Sequence, residues 1–170
     1  MTNKISHGER RYSPKEIIVS WLGAFIGIGS LAWLVTNLPD AKLLVIGSFG
    51  ASAVLIYGSP KAPFAQPRNL IGGHLLSALI GLLTWEYFPD VQVLQEALAV
   101  ATAIAVMQVT RTMHPPGGAT ALIAVIGGPG VHARGVGYLW IVMIGVVVLL
   151  LVALLVNNIA ASNSYPTRWD

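Results

Sequence analysis

The chain has 170 residues, of which 10% are charged and 55% hydrophobic, and its mean hydropathy is +0.70. An ordinary soluble domain carries about 25% charge, so this composition has too little polar surface to cover a water-exposed fold and excludes soluble enzymes, nucleic-acid readers and disordered chains. The net charge of +3 comes from too few side chains to form a basic patch, and the absence of cysteine removes disulfides, thiol catalysis and Cys-ligated metals. What remains is a polytopic membrane protein.

A span needs about 20 apolar residues to cross about 30 Å of hydrocarbon. Ile17 to Leu38 is the first, uncharged and preceded by Lys4, Arg10, Arg11 and Lys15. It is longer than the apolar core of a secretory signal and ends in Thr36-Asn37-Leu38-Pro39-Asp40, which predicts a retained helix. Leu43 to Gly58 is uncharged and rich in Gly, Ser and Ala. Leu70 to Tyr87 is long enough to cross and carries His74, with Glu86 at its end. Ala97 to Thr110 is apolar but short. Thr112 to Ala133 is uncharged yet broken by Pro115-Pro116-Gly117-Gly118 and by Gly127-Gly128-Pro129-Gly130, so only Gly117 to Ile126 is helix-competent. Gly135 to Val156, rich in Val and Leu, is the last span. Trp21, Trp33, Trp85, Tyr87, Tyr138 and Trp140 fall near span ends, where aromatic belts anchor.

Orientation follows the cations. With the N-terminus inside and every segment crossing, Lys4, Arg10, Arg11, Lys15, Lys61, Arg68, Arg111 and Arg168 lie inside, eight of the ten, and Lys42 and Arg134 outside. The acidic connection of Glu86, Asp90 and Glu96 then falls outside. A re-entrant Pro-Gly segment would exchange Arg134 and Arg168 and leave the count unchanged, so the side of the C-terminus stays open.

Gly50-Ala51-Ser52-Ala53-Val54-Leu55-Ile56 matches Gly118-Ala119-Thr120-Ala121-Leu122-Ile123-Ala124, and each copy is followed by Gly and Pro. The chain therefore reads as an all-α membrane protein of five to six hydrophobic segments in two pseudo-repeats, with short, broken, Gly-rich half-helices at 47–58 and 116–127. Residues 1–16 form a cytoplasmic segment, 17–157 a single transmembrane domain (repeats about 16–88 and 96–157), and 158–170 a tail. Paired short segments at matching positions point to a midplane binding site in inverted-repeat transporters. Small-residue helix packing explains the same residues without a site, although packing does not require the Pro-Pro-Gly-Gly interruption.

Arg111-Thr112-Met113-His114-Pro115-Pro116-Gly117-Gly118 is the most informative stretch. Pro115 and Pro116 keep the residues before them out of the helical region, and Pro116 or Gly117 suits a first helical position. The glycines would leave first-turn N–H groups uncovered, which makes an anion site, with Arg111 and His114 beside it. In the first copy, Ser48 is a candidate cap for a half-helix starting near Gly47-Ser48-Phe49-Gly50. Substrate contact is assigned to Ser48, Gly50, Ser52, Arg68, Asn69, His74, Arg111, His114, Pro116, Gly117, Gly118 and Thr120. His74 also fits a neutral core histidine bonded to a carbonyl. Arg68 and Lys61 fit plain positive-inside residues as well as an anion vestibule. No catalytic constellation, phosphate loop or nucleotide fingerprint is present, and His74 with His114 lacks the carboxylate or Cys partners of a metal site.

Gly47-Ser48-Phe49-Gly50-Ala51-Ser52-Ala53-Val54-Leu55, Ala65-Gln66-Pro67-Arg68-Asn69 with Gly72-Gly73-His74, and above all His114-Pro115-Pro116-Gly117-Gly118-Ala119-Thr120-Ala121-Leu122 resemble the HPP family of integral membrane proteins over about residues 14–158. Members are described as four-span proteins, and some, in cyanobacteria and plastid envelopes, are linked to nitrite transport. The resemblance implies a bacterial inner-membrane protein, without a transit extension or appended regulatory domains, that carries a small anion, nitrite first. The alternatives are a transporter or channel for another small solute, or a non-transporting scaffold or partner subunit. Beyond the lipid bilayer and the anion, the expected partner is a second copy of the chain, with no cofactor and no nucleic acid. His114 or His74 is expected to bind a proton with the anion, since nitrite is the base of a weak acid.

Overall fold

The computed structural model describes residues 12–37, 47–88, 90–159 and 164–169, all of its regular structure helical. Lys4, Arg10, Arg11, Leu38, Pro39, Asp40 and Lys42 lie outside the described residues. The helices are α1 (Pro14–Asn37), α2 (Gly47–Gly58), α3 (Pro67–Tyr87), α4 (Gln92–Val109), α5 (Pro116–Ile126), α6 (Pro129–His132) and α7 (Gly137–Ile159), with one 3-10 turn at Pro63–Ala65. Four of them, α1, α3, α4 and α7, are long and apolar enough to cross a membrane; α2 and α5 are shorter apolar helices. At 1.5 Å per residue the 24 residues of α1 reach about 36 Å, whereas the 12 of α2 reach about 18 Å.

Local chemistry sets the helix starts. Ser13 and Glu16 form a reciprocal capping box, with Ser13 N–H donating to Glu16 Oε2 at 2.8 Å and Glu16 N–H to Ser13 Oγ at 3.2 Å. Pro14, Pro67, Pro116 and Pro129 each occupy a first helical position, where the missing N–H costs no bond. α4 begins at Gln92, ahead of the apolar run at Ala97, because buried Gln95 donates to the carbonyls of Trp85 and Phe88 at 3.3 and 3.2 Å and so caps the end of α3. It ends in a Schellman turn. Thr112 N–H donates to Met107 O at 2.9 Å and Arg111 N–H to Gln108 O at 3.2 Å. Arg111 takes the left-handed position at φ 57°, a conformation that costs a side chain about 1–2 kcal/mol.

Contacts between helix ends give the path of the chain. Near the start of α1, Ser20 Oγ donates to Tyr57 O near the end of α2 at 2.8 Å. Near the end of α7, Asn157 Nδ2 donates to Ile56 O at 3.0 Å. The Tyr165 hydroxyl donates to Ala65 O, just ahead of α3, at 2.8 Å. These ends share one face, the basal face. At the opposite face Gln95 caps α3, and His132 stacks on Trp85 with centroids 3.8 Å apart. Among the described residues, four helices are thus long enough to run from one face to the other, and two short ones run part of the way. α1, α3 and α5 run away from the basal face, and α2, α4 and α7 run toward it. Residues 12–20 and 164–169, at the two described ends, lie on the basal face.

Helix packing uses glycine as a notch. Tyr57 lies against Gly23 and Gly27 of α1, where a Cβ at Gly23 would sit 2.7 Å from Tyr57 Cδ1. The Phe49 ring lies against Gly145 of α7. α3 and α5 run parallel in backbone contact, since a Cβ at Gly117 would meet Gly73 O at 2.8 Å and one at Gly81 would meet the Ala121 carbonyl. Tyr138 departs from the aromatic-belt expectation. It is fully buried, with a hydroxyl that has no partner, whereas Trp21, Trp33 and Trp140 are exposed as belt residues are.

Candidate functional site

The two Gly-rich short helices bring a buried polar cluster to the centre of the apolar bundle. Ser52 of α2 places its Oγ 2.7 Å from His74 Nε2 and 2.9 Å from His114 Nε2. The other nitrogen of His74, Nδ1, lies 2.7 Å from Thr120 Oγ1 of α5. His114 Nδ1 lies 2.8 Å from the Phe64 carbonyl of the 3-10 turn. The imidazole centroids are 4.9 Å apart, and the Phe49 ring meets His74 edge-on at 5.3 Å. Ser52, His74, His114 and Thr120 are all 0% exposed. Ser52 and Thr120 are the matching positions of the internal sequence repeat, and they hold opposite nitrogens of one imidazole.

Proton positions follow from the network. The Phe64 carbonyl can only accept, so His114 Nδ1 carries a hydrogen and the Nε2 of a neutral ring is an acceptor. Ser52 then donates to His114 Nε2, His74 Nε2–H donates to Ser52 Oγ, and the Thr120 hydroxyl donates to His74 Nδ1. This arrangement satisfies every atom of a neutral cluster. The hydroxyl of Ser52 also lies 3.0 Å from Ser48 O, and Ser48 Oγ, fully buried one turn earlier, has no partner.

The backbone beside the cluster tells against one expectation. The first-turn N–H groups of α5 are not open: Gly117 N–H donates to His114 O at 2.8 Å and Gly118 N–H to Pro115 O at 3.1 Å. The Pro-Pro step folds His114 and Pro115 under the helix, where their carbonyls take these donors. Gly117 instead permits contact with Gly73 O and with Ser77 Oγ, which a Cβ would meet at 2.9 Å. Pro116 is buried in the same junction. Gly50 is exposed, with nothing within 4 Å of where a Cβ would stand, and Gly118 faces Val100 of α4. Neither glycine reaches the cluster. Ser48 lies inside α2 rather than capping it.

The cationic residues stand at the basal rim. Arg68 is exposed and its Nη2 donates to Thr110 O at 3.0 Å; Asn69 Nδ2 donates to Met113 O at 2.7 Å. Together they tie the 110–113 loop to the start of α3. Arg111 is exposed in the same loop.

Two contributors carried no residue-type signal. Phe64 supplies a backbone oxygen, and the tail supplies a clamp on the turn that holds it. Gln66 Nε2 donates to Pro60 O and Ala62 O, each at 2.9 Å, while Gln66 Oε1 accepts from Thr167 N–H at 2.8 Å and Arg168 N–H at 3.3 Å. Asn158 and Tyr165 bond reciprocally at 2.6 and 3.0 Å. Burial raises the Tyr165 phenol above its ordinary range and keeps it a neutral donor.

Two proteins of Dictyostelium discoideum, named only as transmembrane proteins, are 47% identical over 163 residues and 45% identical over 165 residues. Those alignments cover 91% and 94% of this chain but 56% and 53% of theirs, so the chain spans about half the length of the curated relatives it matches. No solved structure matches the chain. The model for the HPP transmembrane region matches residues 9–166, which include every residue of the buried cluster and, of the tail, Tyr165 but not Thr167 or Arg168. The chain belongs to the HPP family.

Proposed function

We propose that this protein carries a small inorganic anion, nitrite first, across the membrane along the junction of α2 and α5. The observation that supports it is the Ser52–His74–His114–Thr120 cluster: fully buried hydroxyls from the two short helices and imidazoles from α3 and the loop before α5, enclosed in an apolar bundle. Polar groups are expensive at that depth and are retained where they act on a solute. Side-chain donors of the cluster, rather than the first-turn N–H groups of α5, would replace the anion's hydration. Arg68 and Arg111 would supply positive potential at the basal mouth. Lys15, Lys61, Arg68, Arg111 and Arg168 lie on the basal face and Arg134 on the other, so the basal face is cytoplasmic by the positive-inside rule. The membrane is a bacterial inner membrane, the two sequence copies form an inverted repeat, and the working unit is a homo-oligomer. The protein is not an enzyme.

A scaffold role has one observation in its favour: every atom of the cluster is already satisfied by protein, as in a network that only pins helices. Flux separates the two readings. Purified protein in liposomes, at a pH well above neutral where nitrous acid leaks little, is expected to pass nitrite faster than empty liposomes do. Replacement of His114 by Gln is expected to abolish the difference. Flux equal to empty liposomes from folded protein would leave the scaffold reading.

A further inference from the structure

The direction of the buried hydrogen-bond chain bears on what crosses with the anion. In the neutral cluster all its donors are spent: His114 Nδ1–H on Phe64 O, Ser52 on His114, His74 on Ser52, and Thr120 on His74. Among the described residues beside the cluster, the Ser48 hydroxyl one turn before Ser52 is without a partner; none of the N–H or O–H donors of the four cluster residues is left to meet an anion, and the cluster has no net charge. The nearest cations do not compensate, because Arg68 is exposed and bonded to Thr110 O and Arg111 is exposed. An anion entering this site alone is an unpaired buried charge, which costs several kcal/mol.

One added proton changes both conditions. Taken up at the Thr120 hydroxyl, it is relayed along the chain: Thr120 passes its own hydrogen to His74 Nδ1, His74 its Nε2 hydrogen to Ser52, and Ser52 its own to His114 Nε2, which reverses every bond. His114 then donates to Ser52, Ser52 to His74 Nε2, and His74, now protonated on Nδ1, to Thr120. The Thr120 hydroxyl hydrogen is released toward Pro116 O, 3.5 Å away, where an acceptor of better geometry would take it. The cluster gains one positive charge and one free donor together. A second proton is opposed by like charge, since the two rings stand 4.9 Å apart.

No other titratable group near the cluster substitutes for the histidines. α5 carries none in its sequence. On α2 the Tyr57 hydroxyl is spent on Leu149 O at 3.0 Å, and in the tail that of Tyr165 is spent on Ala65 O. α7 contributes Tyr138, a neutral phenol. Glu86, Asp90, Glu96 and His132 belong to the opposite face, at the ends of α3, α4 and α6.

We propose that the cluster carries a monovalent anion together with one proton, so that transport is electroneutral and the substrate class is the conjugate base of a weak acid. The proton comes from water on one side and leaves to water on the other, and no covalent bond is made or broken. This inference rests on the anion-transport reading.

The test uses full-chain protein in liposomes loaded with a pH-reporting dye. Potassium and valinomycin set the membrane potential at zero and at 100 mV of either sign, with nitrite as the probe. Empty liposomes at the same pH give the nitrous acid leak to be subtracted. The expected result is protein-dependent nitrite entry that acidifies the lumen one proton per anion and reaches the same accumulation at all three potentials. A single uncompensated charge would instead change the accumulation ratio about 50-fold per 100 mV. His114→Gln, which cannot take the proton, is expected to lose entry and acidification together, while Gly29→Ala, on α1 with nothing within 4 Å of the added Cβ, retains both. Nitrite entry that follows the potential overturns electroneutral coupling and leaves anion transport standing. No protein-dependent entry, from protein shown to be folded, overturns anion transport and the coupling with it.

Discussion

Replacing Ser52 with Ala removes one oxygen and strands two groups, the Nε2–H of His74 and the bare Nε2 of His114, which now meet it at 2.7 and 2.9 Å. Both rings are 0% exposed, so neither nitrogen can turn to water without a helix moving. Leaving one buried group unsatisfied costs about 1–3 kcal/mol, which for two gives about 2–6 kcal/mol. Interhelical polar bonds in membrane proteins average nearer 0.6 kcal/mol, because the unfolded chain in lipid also finds partners. Histidine has few partners in hydrocarbon, and the vacated space is only one hydroxyl wide. The expected loss is therefore about 2–3 kcal/mol, roughly a 30- to 150-fold shift in the unfolding equilibrium. Ser52→Thr keeps the hydroxyl and is expected to recover most of it. Equilibrium unfolding in mixed micelles reads the loss, and nitrogen-15 NMR of the imidazoles reads the cause. In the parent, His114 is the Nδ1–H tautomer and His74 the Nε2–H tautomer; in Ser52→Ala at least one signature shifts. Stability within about 0.5 kcal/mol of the parent, with unchanged imidazole spectra, would refute the bridge.

Gly81→Ala is expected to cost about 1–3 kcal/mol by overpacking, because its Cβ would run into the Ala121 carbonyl and sit 2.5 Å from Ala124 Cβ. Gly29→Ala has nothing within 4 Å and should be neutral or gain up to about 1 kcal/mol of helix propensity; the same unfolding titration compares the two. Tyr165→Phe leaves the Ala65 carbonyl without its donor at 2.8 Å and should cost about 1 kcal/mol, with faster amide exchange around residues 60–66 as the direct readout. Arg68→Ala removes an exposed bond to Thr110 O and should change stability by no more than about 1 kcal/mol, yet lower nitrite flux if the basal rim draws anions; unchanged flux would confine Arg68 to tethering the loop.

Long helices were legible from the chain because their cause is local. Ile17 to Leu38 became Pro14–Asn37, and Gly135 to Val156 became Gly137–Ile159. α4 read as short because Gln92, Gln95 and Glu96 look like loop residues, whereas Gln95 is buried on two carbonyls. α6 lay within what read only as a glycine-proline break. At the cluster, Ser52, His74, His114 and Thr120 could be named in advance from repeat, depth and the Pro-Pro step. Their mutual bonds could not, since the partners are 22 to 62 residues apart. The glycines misled in an instructive way. Gly117 lacks a side chain to let α3 approach, not to expose N–H donors, and a sequence does not distinguish a backbone bared for a ligand from one bared for a neighbouring helix.

The glycine contacts also divide the molecule mechanically. α3 and α5 meet backbone to backbone at Gly73, Gly81 and Gly117, and α4 closes on them through Ala99, Ala103, Ala121 and Val125. That trio can shear very little without collision. α2 is seated on α1 and α7 by two aromatic rings in glycine notches, a lock-and-key joint that moves with them as one piece. The seam between the two bodies runs through the Ser52 hydroxyl, with Ser52 on one bank and both imidazoles on the other. Around that hydroxyl the seam is packed, with Leu70, Ala78 and Leu82 of α3 in one core with Val142, Val146 and Leu149 of α7, so sliding along it would disturb apolar packing and the cluster's hydrogen bonds together, and the two are mechanically coupled.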